Sequence, residues 1–164
     1  MEENILEIVE KSCRIHRDVI AVKYLSHREI VEKSYGDLWD DIRKTAVILR
    51  NKGLCGTHIA LVGSSSYEWI CAYMAILFTG NTAVPLDANL STPELHELLN
   101  RSESTALFCG ASRKDVITEL TDDCPEMNIV FTMEKKVDIE HLEGADSNPQ
   151  LAILSFEQLR SEIT

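Results

Sequence analysis

SSSYEWICAYMAILFTGNTAVPLD, residues 64–87, is the stretch that decides the fold. Ser65 stands three residues before Glu68, an arrangement in which a hydroxyl and a carboxylate each satisfy one free amide at the start of a helix. Gly80 can end that helix, and residues 82–85 form a short apolar strand. The predicted helix carries its apolar face on Trp69, Tyr73, Ile76 and Leu77. The stretch therefore predicts a helix that leads directly into a buried strand.

Strands and helices alternate on both sides of this stretch. Further strands are predicted at His58–Val62, Thr105–Cys109 and Asn128–Phe131. Further helices are predicted at about Ser91–Arg101, where Ser91 and Glu94 form a second cap, and at about Ser112–Leu120. Alternation at this spacing is typical of parallel strands joined by helical crossovers. The sequence predicts a Rossmann-like three-layer α/β fold with a mostly parallel sheet.

Different elements are expected before this core. An amphipathic helix is predicted at about Asn4–His16, followed by strands Val19–Leu25 and Arg28–Lys33 that would form a hairpin at an edge. Ser34 and Asp37 cap the next helix, which ends at Gly53. Together these elements and the core give an α/β subdomain over residues 1–132.

The last part of the chain has a weaker pattern. Residues 133–150 are acidic and end in turn-forming residues, so we expect a loop or linker there. Residues 151–164 form a terminal segment in which Ser155 and Gln158 would cap a helix at Phe156–Ile163.

Composition excludes several classes of protein. Apolar residues make up 45% of the 164 residues and charged residues 26%, which is globular usage. The formal net charge of −11 disfavours binding to nucleic acid. No apolar run approaches the roughly 20 residues that span a bilayer, and the N-terminus is acidic where a signal peptide is basic. Five cysteines without a Cys-x-x-Cys pair indicate reduced thiols, so we expect a cytoplasmic protein.

The serines of the central stretch invite two functional interpretations. Gly63-Ser64-Ser65-Ser66 follows a strand and precedes a helix, as a phosphate-binding turn does. It lacks the second glycine, the lysine and the closing hydroxyl of a nucleotide loop. A hydrolase nucleophile would need Gly-x-Ser-x-Gly, and Tyr67 replaces the final glycine. A structural turn with Ser65 as the helix cap is the favoured interpretation.

Metal and acid–base sites find no support either. His96-Glu97 is not followed by the second histidine of a His-Glu-x-x-His zinc site. The acidic pairs Asp40-Asp41 and Asp122-Asp123 are adjacent in sequence, so each pair does not share one helix face, and solvated faces explain them. The sequence therefore predicts no catalytic, cofactor-binding or metal-binding residue in this chain.

Two segments resemble motifs of a known family. Ser34-Tyr35-Gly36-Asp37-Leu38 resembles the first core motif of the AMP-forming adenylating enzymes, the superfamily of acyl-CoA synthetases, luciferases and peptide-synthetase adenylation domains. Residues 75–87 resemble the second motif, although Phe78-Thr79-Gly80-Asn81 replaces the usual Lys-Ala-Gly-Gly. The resemblance extends from about Val19 to Phe131. It identifies the chain as similar to the N-terminal subdomain of these enzymes.

The resemblance implies a chemistry whose machinery lies elsewhere. In this family a carboxylic acid and ATP give an acyl-adenylate and pyrophosphate, and a thiol such as coenzyme A then takes the acyl group. The Ser/Thr/Gly-rich loop ending in Pro-Lys-Gly is expected beyond Thr164, and the catalytic lysine lies in a C-terminal domain. ATP, Mg and CoA are thus implied for the parent enzyme and none for this fragment. Residues 83–87, Ala-Val-Pro-Leu-Asp, look more like the corresponding segment of bacterial long-chain fatty-acid-CoA ligases than that of amino-acid-activating domains.

Two functions are therefore open. The first is a truncated N-terminal part of an acyl-CoA ligase, inactive alone, whose partner is the remainder of the ligase. The second is a stand-alone partner-binding or regulatory module that keeps the scaffold. A small hydrolase or nucleotide-binding protein is disfavoured because its motifs fail. With later sequence missing, an uncovered surface would favour homo-oligomers.

Overall fold

The computed structural model describes residues 4–117, 120–133 and 151–163. The N-terminal elements are helix α1 (Ile5–Ile15), strands β1 (Ile20–Ser26) and β2 (Glu29–Ser34), and helix α2 (Tyr35–Asn51). The central elements are β3 (His58–Val62), α3 (Tyr67–Phe78), β4 (Thr82–Leu86), α4 (Thr92–Arg101) and β5 (Ser104–Cys109). The last elements are a 3₁₀ helix (Ala111–Ile117), α5 (Leu120–Asp123), β6 (Ile129–Thr132), β7 (Ala152–Ser155) and α6 (Phe156–Ser161).

Five strands form one parallel sheet in the order β4-β3-β5-β6-β7. Along β3 the buried residues alternate between its two faces, so Ile59 and Leu61 meet one helical layer while Ala60 and Val62 meet the other. The predicted three-layer α/β fold with a mostly parallel sheet is thus confirmed. Among the described residues, no helix is both long and apolar enough to cross a membrane.

One face of the sheet is aromatic, and we call it the aromatic face. Phe108 of β5 stacks on Phe131 of β6, with ring centroids 4.7 Å apart. Phe156 at the start of α6 meets Phe108 edge-on at 5.5 Å. Side chains of α1, α2, α3 and α6 pack in this layer. Because all three rings are fully buried, this cluster is the centre of the larger core.

The opposite face is lined by aliphatic side chains, and we call it the aliphatic face. Leu107 and Val130 of the sheet contact α4, the 3₁₀ helix and α5 there. The buried apolar side chains of these helices include Leu95, Leu99, Val116, Ile117 and Leu120, and Cys124 follows α5 directly. The sheet is therefore covered on both sides, as parallel sheets require.

The predicted helix boundaries depend on local hydrogen bonds that the structure shows. The Ser34 amide donates to Asp37 Oδ2 at 2.9 Å, and the Asp37 amide donates to Ser34 Oγ at 3.1 Å. At α4 the amide and hydroxyl of Ser91 both donate to Glu94 Oε2, at 2.8 and 2.6 Å. Gly53 adopts φ 74°, the left-handed conformation expected after a helix. These cap predictions are confirmed.

The predicted start of α3 is wrong by one residue. Ser66, not Ser65, accepts the Trp69 amide at 3.1 Å. Three consecutive serines precede this helix, so sequence spacing alone could not select the cap. The predicted apolar face is only partly correct, because Ile76 is fully buried whereas Trp69 and Tyr73 are half-buried and stack on each other at 5.3 Å. The fully buried side of α3 carries Tyr67, Cys71, Ala72, Ala75 and Ile76.

Other boundaries also differ from the predictions. A 3₁₀ helix replaces the start of the helix predicted at Ser112–Leu120, and residues 118–119 lie outside the described residues. The terminal segment contains strand β7, which was not predicted, and α6 ends at Ser161 rather than Ile163. The short apolar run of β7 leads directly into the capped helix α6, and periodicity cannot tell such a run from a helix segment. The predicted acidic loop lies outside the described residues from 134 to 150.

The two strands of the hairpin are separate from the main sheet. Strands β1 and β2 form an antiparallel two-stranded sheet of their own instead of extending the five-stranded sheet. Its turn is Ser26-His27-Arg28-Glu29, in which His27 and Arg28 have φ of 49° and 71°. Tyr24 stacks on Tyr67 of α3 with centroids 5.6 Å apart, which fixes the hairpin against the aromatic-face layer.

Candidate functional site at the carboxyl edge of the sheet

Parallel sheets bind ligands beyond the carboxyl ends of their strands, where the strand order reverses. In this sheet the chain runs from β3 to β4 on one side and then crosses back to β5 on the other. The reversal therefore lies beside β3 and β5. Gly63 and Gly110 follow these two strands directly, and the candidate site is built around them.

The two glycines hold the ends of β3 and β5 together. The Gly110 amide donates to the Val62 carbonyl oxygen at 2.8 Å. A Cβ atom built on Gly63 would lie 2.9 Å from Gly110 Cα, and Gly63 has φ 144°. Both the close approach and the backbone conformation require glycine here. The turn is therefore shaped by backbone packing.

The serines that follow Gly63 have hydrogen-bonding roles in this turn. Ser64 Oγ lies 3.4 Å from Ser112 Oγ, a contact that joins the loops after β3 and β5. Ser65 is exposed, and Ser66 caps α3. The structure thus places the serines of the phosphate-turn and hydrolase alternatives at the edge where ligands bind, but uses Ser66 to satisfy a helix amide. The prediction that this chain supplies no site residue stays a prediction.

Asp41 is the centre of a polar cluster beside this edge, which we call the Asp41 cluster. Its Oδ2 atom accepts the Tyr67 hydroxyl at 2.8 Å and lies 2.5 Å from Arg160 Nη2. Lys33 Nζ lies 3.6 Å from the same oxygen. The side chains of Asp41 and Arg160 are only 13% and 16% exposed. One carboxylate thus joins α2, α3, α6 and β2.

The cluster contradicts the prediction that Asp40-Asp41 is a solvated pair. Asp40 fits it, because its side chain is 49% exposed and pairs with Arg17 at 3.1 Å. Asp41 does not, because it lies between Leu38 and Thr45 on the buried side of α2. That spacing of three and four residues was a signal available in the sequence. Its partner Arg160 could not be identified, since it lies near the other end of the chain.

The electrostatics of the cluster favour structure over reactivity. Burial raises the pKa of Tyr67, and Cys71 and the hydrogen bond to Asp41 raise it further, so the hydroxyl remains a donor. Burial also raises the pKa of the Cys71 thiol to about 12, which keeps it protonated and a weak nucleophile. Burial would lower the Arg160 pKa, but the Asp41 carboxylate more than offsets this, and the pKa is raised.

A cleft of about 290 Å³ opens next to the Asp41 cluster. It is lined by Tyr24, Lys33, Asp41, Lys44, Tyr67, Glu68, Met133, Phe156, Glu157, Arg160 and Ser161. Three cations and three carboxylates line it, and two of the cations already contact Asp41. The cleft could hold a small polar group, but its charges are largely balanced among themselves.

The histidine singled out in the sequence is a structural residue of the aliphatic face. His96 is 3% exposed, with Nδ1 2.6 Å from Asp123 Oδ2 and Nε2 2.8 Å from the Val116 carbonyl oxygen. These contacts join α4 to α5 and the 3₁₀ helix. Across the described ranges, no group of three or more His, Cys, Asp or Glu side chains could hold a metal ion.

Arg113 is a second connector on that side. Its Nη1 donates to the carbonyl oxygens of Ala88 and Leu90 at 2.7 and 2.8 Å. Its Nε and Nη2 donate to the Asp115 carboxylate at 3.0 and 2.8 Å. Two of the four hydrogen bonds of this guanidinium therefore fix the loop between β4 and α4, and the other two bind Asp115.

The five cysteines are free thiols. Cys13, Cys71 and Cys109 are buried among apolar side chains, as their apolar patterns predicted, and Cys124 is buried as well. Cys55 is exposed. The buried thiols act as small apolar side chains in the core.

Comparison with known proteins agrees with this architecture. Residues 9–160 match the family described as AMP-binding enzyme. A substituted propanoyl:CoA ligase of Rhodococcus jostii (strain RHA1) is 30% identical over 89 residues, which are 51% of this chain and 17% of that ligase.

Two solved structures share the fold. Coronafacic acid ligase from Pectobacterium brasiliense superposes with a TM-score of 0.80 at 24% identity, over 97% of this chain and 29% of that one. The A-PCP didomain of carboxylic acid reductase from Segniliparus rugosus gives a TM-score of 0.84 at 15% identity, over 98% and 26%. This chain thus spans less than a third of each of these proteins. Because the family match covers most of its residues, the chain belongs to the AMP-binding enzyme family.

Proposed function

We propose that this chain is the N-terminal scaffold of an acid–thiol ligase that works through an acyl-adenylate. The parent enzyme would join a carboxylic acid to AMP with release of pyrophosphate, and then transfer the acyl group to a thiol such as CoA. The observation that carries this proposal is the family match over residues 9–160 in a chain that covers only 17% of a related CoA ligase. The chain alone would be inactive.

Charge at the carboxyl edge supports this inactivity. Stabilising a transferring or leaving phosphate requires cations and usually a magnesium ion. Lys33 and Arg160, which line the cleft at this edge, both lie against Asp41. The Asp41 carboxylate thus offsets part of their positive charge, and Glu68 and Glu157 line the same cleft. ATP, Mg and CoA would be held by sequence that this chain does not contain.

The acid substrate is proposed from the resemblance. Residues 83–87 resemble the corresponding segment of fatty-acid-CoA ligases, and relatives named as CoA ligases support an acid that is transferred to CoA. We therefore propose a fatty acid as the substrate of the parent enzyme. Five free thiols support a reducing, cytoplasmic location.

The exposed surface supports the remainder of the ligase as the partner. Leu25 and Ile30 face each other across the hairpin, and each is 72% exposed. On α1, Ile5, Ile8 and Ile15 are also exposed. At one edge of the five-stranded sheet Pro85 of β4 lacks an amide hydrogen, whereas β7 at the other edge has no proline. We propose that the remainder of the ligase covers these surfaces and that the chain alone self-associates through them.

The first experiment tests adenylation. Purified 164-residue protein is assayed for acid-dependent ATP–pyrophosphate exchange with a panel of fatty acids, with an intact CoA ligase as positive control. We expect no exchange. Exchange that disappears in a Gly63→Val variant would refute the scaffold proposal, because the activity would then belong to this polypeptide. Sequencing the transcript beyond the codon for Thr164 completes the test, and we expect it to encode the Pro-Lys-Gly loop.

The second experiment tests the alternative of a self-sufficient module. Sedimentation velocity is measured over a dilution series in the micromolar range. We expect a concentration-dependent dimer that a Leu25→Thr, Ile30→Thr double variant weakens, since threonine keeps strand propensity but removes apolar surface. Val47→Thr is the control, because Val47 is also exposed but lies on α2. A monomer at all concentrations would instead support the stand-alone module.

A further inference from the structure

A groove of about 580 Å³ lies beside α2 and is also lined by Phe78 of α3 and by Ile163, which follows α6. Trp39 and Phe78 meet edge-on at one end, with ring centroids 5.2 Å apart, and Arg50 lines the other end. Arg50 lies eleven positions after Trp39, so the groove is about 16 Å long at the usual helical rise. Val47 on its floor is 41% exposed. The volume lies in the range of small-molecule sites, and the floor is apolar.

Three cations line this groove without carboxylate partners. In the part of the chain that the structure describes, Arg43, Lys44 and Arg50 form no salt bridge. The one acidic residue in the groove, Asp40, is paired with Arg17. Elsewhere cations such as Lys23, Arg113 and Arg160 are paired. On a chain with a net charge of −11, this is a locally positive, apolar surface.

We propose that this groove binds an amphipathic anion, a molecule with a linear apolar tail and a negatively charged head. The tail would lie along Trp39, Phe78 and Val47, and the head would contact Arg43 or Arg50. Aromatic and aliphatic contacts give such a ligand its buried area, and charge complementarity fixes its orientation. The head could be a carboxylate, a sulfate or a phosphate, since each suits a guanidinium.

The inference goes beyond the proposed ligase function. The groove lies between α2, Phe78 and Ile163, and its lining contains no residue of the turns at Gly63 and Gly110, around which the candidate site is built. Binding here requires neither ATP nor a thiol. It would give the protein a site for an acidic lipid that is separate from the place where an acid is activated.

The test uses Trp39 as the reporter. A Trp69→Phe variant of the full chain leaves Trp39 as the only tryptophan, because the chain has two. Its fluorescence is titrated with sodium decanoate, decyl sulfate and decyl phosphate below their micelle concentrations. Decanol and decyltrimethylammonium are the matched neutral and cationic ligands. We expect saturable changes with the anions, and affinities at least about tenfold weaker for the controls. The ranking of the three anions identifies the head group.

A variant pair then locates the head group. Arg43→Gln with Arg50→Gln should weaken decanoate binding by about fivefold to tenfold. Lys52→Gln is the control, because Lys52 is exposed at the end of α2 and does not line the groove. Decanol binding as tight as decanoate, or the absence of saturation with all three anions, would overturn the proposal. Either result comes from the Trp69→Phe protein with its arginines intact and without ATP, so it leaves the ligase proposal untouched.

Discussion

The helices on the two faces of the sheet differ in the sequence separation of the polar contacts that hold them. On the aliphatic face, α4, the 3₁₀ helix and α5 are successive helices of the chain. The polar contacts that hold them are short-range, because Arg113 and Ala88 are 25 positions apart and His96 and Asp123 are 27. On the aromatic face, α2 meets α6 from the other end of the chain through Asp41 and Arg160. The polar contacts on one face thus join residues fewer than 30 positions apart, whereas the Asp41–Arg160 contact on the other joins residues 119 positions apart.

This difference indicates on which face the loss of a single contact should lower the stability of the protein most. A local layer keeps much of its structure when one contact is lost, because adjacent chain restricts its helices. The distant layer depends on a ring cluster and one carboxylate to hold α6 in place. We therefore expect matched substitutions to cost more on the aromatic face.

The largest effect should come from the ring cluster. Phe108 and Leu107 are adjacent, fully buried and on opposite faces. Phe108→Ala should lower the free energy of unfolding by about 4 kcal/mol and Leu107→Ala by about 3 kcal/mol. Urea denaturation measures both, and Val47→Ala is the exposed control. A larger loss of unfolding free energy for Leu107→Ala would contradict the expectation that the aromatic face is the more sensitive of the two.

The ratio between the losses on the two faces should be larger for their polar contacts, those of the Asp41 and Asp123 carboxylates, than for their apolar side chains. Asp41→Asn should lower the free energy of unfolding by about 3 kcal/mol, because it leaves Arg160 in a nearly buried site without its counter-charge. Asp123→Asn should lower it by less than about 1 kcal/mol, because that carboxylate is half exposed. Asp40→Asn is the neighbouring control.

Adding Arg160→Met to Asp41→Asn tests the cause. Since the double variant removes the uncompensated charge, it should regain part of the lost stability. If the two changes are simply additive in denaturant unfolding, Asp41 and Arg160 are not coupled, and the long-range connection is absent.

Low pH should destabilise the protein on its aliphatic face by protonating Asp115. Hydrogen bonds from Arg113, joined by one from Thr92, lower the pKa of Asp115 to about 2. The unfolded chain has the ordinary value of about 3.9. Its stabilisation is therefore fully present above about pH 4 and is lost as the pH falls towards 2. Because the side chain is 49% exposed, the contribution is below about 1 kcal/mol.

This effect is measured as the difference in pH dependence between the unchanged protein and the Asp115→Asn variant. Asp115→Asn should reduce the change in free energy of unfolding between pH 5 and pH 2.5, measured at several pH values in urea. Other carboxyl groups titrate in both proteins and cancel. An identical pH dependence would mean that Arg113 is held by the Ala88 and Leu90 carbonyl oxygens alone.

The smallest expected effect belongs to the hairpin turn. His27 and Arg28 both have positive φ, which asparagine and glycine adopt at lower cost. Replacing His27-Arg28 by Asn-Gly should raise the free energy of unfolding by about 0.5 kcal/mol. A gain would confirm that the turn is strained independently of either face. A loss, in the same thermal or urea measurement, would show that these side chains make contacts that stabilise the fold.

Much of the fold could be predicted because its signals are local. Ser34 with Asp37, and Ser91 with Glu94, are three residues apart, so spacing alone located two helix starts. The Ser66 cap could not be selected from three adjacent serines. The role of Asp41 could not be predicted, because Arg160 is distant in sequence and close only in the fold. At the candidate site, sequence indicated the turn after β3 but not its contact with Gly110.

The position of Phe156 has a consequence for the order in which the protein is made. Synthesis proceeds from the N-terminus at about 5–20 residues per second, so earlier segments can fold first. The aliphatic-face helices leave the ribosome with most of their partners, lacking Leu151 and Ile153, whereas Phe108 and Phe131 wait for the ring of Phe156, 25 positions after Phe131. A stalled nascent chain that lacks residues 151–164 would expose this half-finished layer, and we expect molecular chaperones to bind it until translation resumes.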